Sequence, residues 1–315
     1  MSRATDWLSD QGYAAGWRLV RSLPESTAER LFRGGADLVS ARLEPGTPLH
    51  RNLGRVLGVR PVDLPENLLR DSVRSYARYW REAFRLPAMD VEAVARRMDE
   101  TITGAEHINA GLDAGNGVII ALPHSANWDI GGTWLARRYG GFTTVAERLR
   151  PESLYQRFLR YREGLGFTIL PLTGGSGPPS DLLATALRRN EIVCLLGERD
   201  LRSTGVPVTF FGAETRMPAG PAQLAIDTGA PLLYAEFWYP DEHEMRINVH
   251  PPLDVSGGVA AGTQAMADAF AEGIARNPQD WHMMQPLWLE DLPEERRKTL
   301  RHAEGRSEEP PESGG

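Results

Sequence analysis

A histidine and an aspartate five positions apart, His124 and Asp129, stand where an apolar run breaks into a polar turn, Gly117-Val118-Ile119-Ile120-Ala121-Leu122-Pro123-His124-Ser125-Ala126-Asn127-Trp128-Asp129-Ile130. An imidazole beside a carboxylate is suited to drawing a proton from an alcohol. The carboxylate accepts from one ring nitrogen and fixes the tautomer, and the other nitrogen takes the proton. On one continuous helix, residues five apart lie roughly 140° from each other, too far round for a hydrogen bond. The pairing therefore needs the chain to turn between them, with Pro123 keeping His124 outside the helix and Ser125 or Asn127 capping it. The helix start would also favour an ionised Asp129. An aspartate in a first turn is commonly only a dipole partner, and a strand-end histidine is commonly structural, so spacing alone leaves both readings open.

The elements that must position this pair follow from the pattern of apolar residues. From residue 7 to about residue 97 the sequence is helical in period, with breaks at Pro24, 44–48 and 61–65. After Gly115 short β-branched runs alternate with helical stretches, which predicts an α/β core: a central mixed sheet flanked by helices, with a helical N-terminal portion. Expected strands are 118–122, 142–146, 167–170, 192–196, 232–238 and 245–249, and expected helices are 129–139, 151–165, 181–189, 218–228 and 262–276. This divides the chain into a helical part (1–110), the core (111–292), and a charged helix with a disordered tail (293–315). In such sheets ligands gather at the carboxyl ends of strands, where His124 sits.

Composition excludes several classes. The 315 residues are 41% hydrophobic and 24% charged, enough for a full core. A formal charge of -7 argues against coating nucleic acid. One cysteine, Cys194, allows neither an internal disulfide nor a thiolate zinc site, and no metal site is expected. No apolar run approaches the ~20 residues of a membrane span, and the first ten residues lack the order of a secretory signal. Other catalytic motifs fail. Gly174-Gly175-Ser176-Gly177 runs into Pro178 rather than forming a nucleophile elbow, no P-loop lysine exists, and His243-Glu244 has no second histidine four residues on.

The ordered set around His124 and Asp129 resembles the lysophospholipid acyltransferase superfamily, whose signature is H-x4-D. Later blocks extend the resemblance over about residues 117 to 290: Arg157, Tyr161 and Arg162 before Leu165-Gly166; Asp181 to Arg188; Val193 to Asp200; Pro207 to Gly212; Pro218 to Ala222; and Pro278-Gln279-Asp280-Trp281-His282. Within the superfamily the chain looks like the bacterial branch that holds the lipid A acyltransferases, and its ending Trp281 to Trp288 looks like the phosphatidylinositol mannoside acyltransferases of that branch.

The resemblance implies transfer of a palmitoyl-type chain from acyl-CoA, as co-substrate rather than bound cofactor, to the 6-hydroxyl of the mannose on inositol position 2 of mannosylated phosphatidylinositol. His124 would be the base and Asp129 its orienting carboxylate, with no acyl-enzyme. Arg162 is a candidate for the oxyanion and the acceptor. Glu198 is expected to hydrogen-bond sugar hydroxyls, with Glu147 and His282 as further acceptor contacts. Trp281 and Cys194 read as packing. Residues 137–163 carry seven arginines against three glutamates, a strip that includes Arg148 and suits coenzyme A phosphates or anionic headgroups as well as a solvated helix face. Amphiphilic substrates imply a peripheral position at the cytoplasmic face of the membrane, and residues 13–43 mix arginines with apolar residues in a way that suits an interfacial helix. Two alternatives stay open: a lipid A-type or glycerophospholipid acyltransferase, and a non-catalytic lipid carrier, which would need neither His124 nor Asp129.

Overall fold

The N-terminal portion is helical, as its period predicts. The computed structural model describes residues 16–147, 152–174, 177–202, 204–298 and 300. Its first labelled helices are α1 (Glu25–Ser40), α2 (Pro48–Leu57), α3 (Glu66–Arg85) and α4 (Val91–Asp99). Local chemistry sets the ends of α2: Thr47 caps the His50 N–H, proline occupies the first turn, and Gly58 closes the helix at φ 69°. Ala36, Leu49, Leu53, Leu69 and Val73 join α1, α2 and α3 in a small core of their own.

The sheet follows. Its strands are β1 (Ile102–Thr103), β2 (Val118–Leu122), β3 (Phe142–Ala146), β4 (Phe167–Pro171), β5 (Ile192–Leu196), β8 (Leu232–Trp238) and β9 (Arg246–Val249), and between them in sequence lies a hairpin, β6 (Val206–Phe210) and β7 (Ala213–Met217). The sheet order is β1-β9-β8-β2-β5-β3-β4. Neighbours run parallel except β8 and β9, so the sheet is mixed. All five residues of β2 are buried, the signature of a central strand covered on both faces. Val118, Ile120 and Leu122 enter one core with α5 (Ala105–Asp113), α6 (Trp128–Tyr139) and α7 (Glu152–Glu163). Ile119 and Ala121 enter the other with α8 (Pro179–Arg188), α9 (Gly220–Thr228) and α10 (Gly258–Arg276).

Two features differ from expectation. The edge strand β1 comes from residues upstream of 110, so the sheet reaches back into the N-terminal part; two residues are too few to show a period. The β6–β7 hairpin was not foreseen because Pro207 interrupts its strand pattern, and a proline of this kind is tolerated in a two-stranded ribbon.

Candidate active site

Strand register brings the chemistry together. Leu122, the last residue of β2, pairs with Leu196, the last of β5. His124 and Glu198 each lie two residues further on, so the parallel ladder sets them side by side. Glu198 Oε1 accepts from the His124 main-chain N–H at 2.7 Å and contacts His124 Nδ1 at 2.5 Å. Burial alone would raise the Glu198 pKa, but the His124 charge and hydrogen bonds outweigh it and hold the carboxyl below its usual value. An ionised carboxylate only accepts, so Nδ1 carries a proton, and in the neutral ring Nε2 is left with the lone pair. The His124 side chain is 36% exposed, whereas Glu198 is 0% exposed.

The turn that presents His124 is strained and braced. Ala126 has φ 46° and is fully buried, a conformation that costs on the order of 1 kcal/mol or more in a residue with a Cβ. Its N–H donates to Asp280 O at 2.9 Å, and the His282 N–H donates to His124 O at 2.7 Å. The Asp280 carboxylate is fixed in turn by the Ser75 hydroxyl (2.7 Å) and the Tyr239 N–H (2.9 Å). Burial pushes this carboxyl up to about 6. Asn127 caps α6 by accepting from the N–H groups of Asp129 and Ile130, while its amide donates to Glu82 at 3.0 Å.

Asp129 does not take the partner expected for it. Its oxygens are engaged by Arg162, with Nε at 2.8 Å and Nη2 at 3.3 Å, and by the Tyr79 hydroxyl at 3.5 Å. The reason is the cap: α6 begins at Trp128, so Asp129 enters the first turn and faces α7, while His124 remains at the strand end beside Glu198. Burial would lower the Arg162 pKa, but the Asp129 charge more than offsets it and raises the value. Asp129→Ala should strand a guanidinium whose side chain is only 20% exposed, at a cost of about 3–5 kcal/mol. Denaturant unfolding should show the lower midpoint, and an unchanged midpoint would contradict the anchoring role.

The other expected residues fall out as follows. Glu198, expected to meet sugar hydroxyls, lies fully buried behind His124, and its Oε2 has no hydrogen-bond partner among the described residues. His282 is brought beside His124 but is buried, with Nε2 2.9 Å from Ser75 Oγ and Nδ1 unpartnered among the described residues. Burial, and then the charge on His124, push its pKa down to about 3, so the ring is neutral. Glu147 is exposed just beyond the end of β3. Arg148 lies outside the described residues. Trp281 is buried core, and burial pushes the Cys194 thiol pKa up, which makes it inert. Sequence reasoning missed Glu82, Ser75 and Asp280; they act on the turn from far along the chain and leave no local spacing to find.

A mostly apolar cavity opens between α6 and the sheet. Asp129, Arg162 and Leu196 line it near the strand ends, and aliphatic and aromatic side chains line the rest. Glycines let α6 sit this close, since a Cβ at Gly131 would lie 2.3 Å from the Phe237 ring and one at Gly132 would lie 2.5 Å from Phe167.

Residues 1–290 match the family model described as bacterial lipid A biosynthesis acyltransferase. The chain is 54% identical over 299 residues to the phosphatidylinositol mannoside acyltransferase of Mycobacterium tuberculosis, spanning 95% of this chain and 93% of that one. It is 55% identical over 295 residues to the protein of the same name from Mycolicibacterium smegmatis, spanning 93% and 95% respectively.

Proposed function

The chain belongs to the bacterial lipid A biosynthesis acyltransferase family, and from that premise we propose that this acyltransferase moves a long acyl chain from acyl-CoA to the 6-hydroxyl of the mannose on inositol position 2 of phosphatidylinositol mannosides. The observation that carries the proposal is the His124–Glu198 pair, with Nε2 free, beside an apolar cavity that begins at Asp129 and Arg162. The relatives' shared name supports the acceptor.

In the proposed reaction His124 Nε2 removes the hydroxyl proton as the sugar oxygen attacks the thioester carbonyl. Glu198 keeps the Nδ1 proton in place and stabilises the imidazolium. Arg162, held by Asp129, directs positive charge toward the developing oxyanion. When the tetrahedral intermediate collapses, the carbon–sulfur bond breaks and the imidazolium returns its proton to the thiolate. No acyl-enzyme forms. Glu147, His282 and Arg148 remain proposed contacts for the acceptor and for coenzyme A.

Among the described residues no helix is long and apolar enough to cross a membrane. Leu19, Leu31, Leu38 and Val39 are each more than half exposed near Arg18, Arg30 and Arg33, which supports peripheral contact with an anionic inner leaflet.

The deciding assay offers labelled palmitoyl-CoA with mono- and dimannosylated phosphatidylinositol, beside a lysophospholipid and a lipid A precursor. Product on the mannosides is expected. Turnover confined to the latter two acceptors would replace the acceptor assignment, and binding without turnover on any acceptor would favour a lipid carrier.

A further inference from the structure

The His124 ring is met from two directions. Glu198 lies against Nδ1, and the indole of Trp128 stands perpendicular to the imidazole, with ring centroids 5.2 Å apart and an interplanar angle of 85°. Trp128 is the first residue of α6, placed there by the Asn127 cap. Its ring is fixed from α3, because Tyr79 stacks on the indole with centroids 4.3 Å apart and planes within 27°. Tyr79 is itself buried and packs against Trp80 at 5.1 Å, and its hydroxyl donates to Asp129 at 3.5 Å. The indole therefore cannot turn away from His124 without breaking that stack.

An aromatic ring is electron-rich on its face and electron-poor at its edge. A cation within about 6 Å of a tryptophan centroid is attracted to that face, and at a partly desolvated site the attraction is worth about tenfold in a rate. A neutral imidazole gains far less. In the proposed reaction the acceptor O–H bond breaks and the Nε2–H bond forms, so the ring is positive until its proton passes to the thiolate. An interaction made mainly with the charged ring lowers the barrier without tightening substrate binding.

We propose that Trp128 is a positioning residue for the base: its indole face receives the edge of the His124 ring and favours the imidazolium over the neutral imidazole. The inference rests on His124 being the base, as in the proposed function.

The test places mono-, di- and trifluorotryptophan at position 128 and measures kcat and KM with palmitoyl-CoA and one mannoside acceptor. Fluorine barely changes the size of the ring but drains charge from its face. The value of kcat should fall stepwise along the series, by about tenfold at the trifluoro ring, with KM nearly constant. Trp128 also lines the cavity, so damage to acyl packing would appear in KM instead. A flat kcat across the series overturns the proposal. Trp128→Leu should lose about tenfold in kcat and Trp128→Phe, which keeps an aromatic face, only part of that. Combined with His124→Ala, Trp128→Leu should cost nothing further, because no imidazolium forms. An equal loss in that background overturns the proposal as well. If Trp128→Leu does not fold, the fluorinated series decides, since it preserves the packing. Wild-type turnover in His124→Ala would sink the base reading beneath the inference, whereas a slow His124→Ala with a flat fluorine series sinks the role of Trp128 alone.

Discussion

His124→Ala should lose acyl transfer by about 10²–10⁴-fold while keeping the fold, the usual contribution of a positioned base. The fold should survive because main-chain bonds hold the turn: Ala126 N–H to Asp280 O and His282 N–H to His124 O need no imidazole. The residual rate would come from substrate approximation and from the charge of Arg162. Single-turnover transfer of labelled palmitoyl, with a melting curve on the same preparation, checks both parts. Wild-type turnover in a folded variant would remove His124 from the chemistry.

Glu198→Gln should cost roughly 10²–10³-fold in kcat with little change in KM. The glutamine oxygen still accepts from the His124 N–H and from Nδ1–H, so the tautomer and the ring orientation persist. Only the negative charge that stabilises the imidazolium is lost. Because a fully buried charge is replaced by a neutral amide, stability should not fall. This separates the two carboxylates experimentally. Glu198→Gln should be slow and stable, whereas Asp129→Ala should be unstable because Arg162 loses its counter-charge. A Glu198→Gln variant with wild-type kcat would show that the carboxylate charge does not serve the reaction.

Much of the core was legible. The runs 118–122, 142–146, 192–196 and 232–238 coincide with β2, β3, β5 and β8, because β-branched runs bounded by glycine, proline and polar residues have few other ways to bury themselves. The strand–turn–helix that presents His124 was legible from Pro123 and the cap at Asn127. The partner of His124 was not. Local spacing offered Asp129, five residues away, while the true neighbour lies 74 residues on and becomes adjacent only once β2 and β5 are known to pair in register. A signal was present in hindsight, since two apolar strands each end two residues before a titratable side chain. Exploiting it requires the strand order, which periodicity does not contain. The bracing of the turn by Asp280, Ser75 and Tyr239 spans separations of up to 205 residues and has no local signature.

The claim beneath all of this is that His124 and Glu198 work as one unit. Single-turnover rates of His124→Ala, Glu198→Gln and the double variant test it most directly. Groups acting together do not lose rate independently, so the double variant should be no slower than His124→Ala alone. Losses that multiply, with the double variant slower by the product of the two single effects, would contradict the pairing.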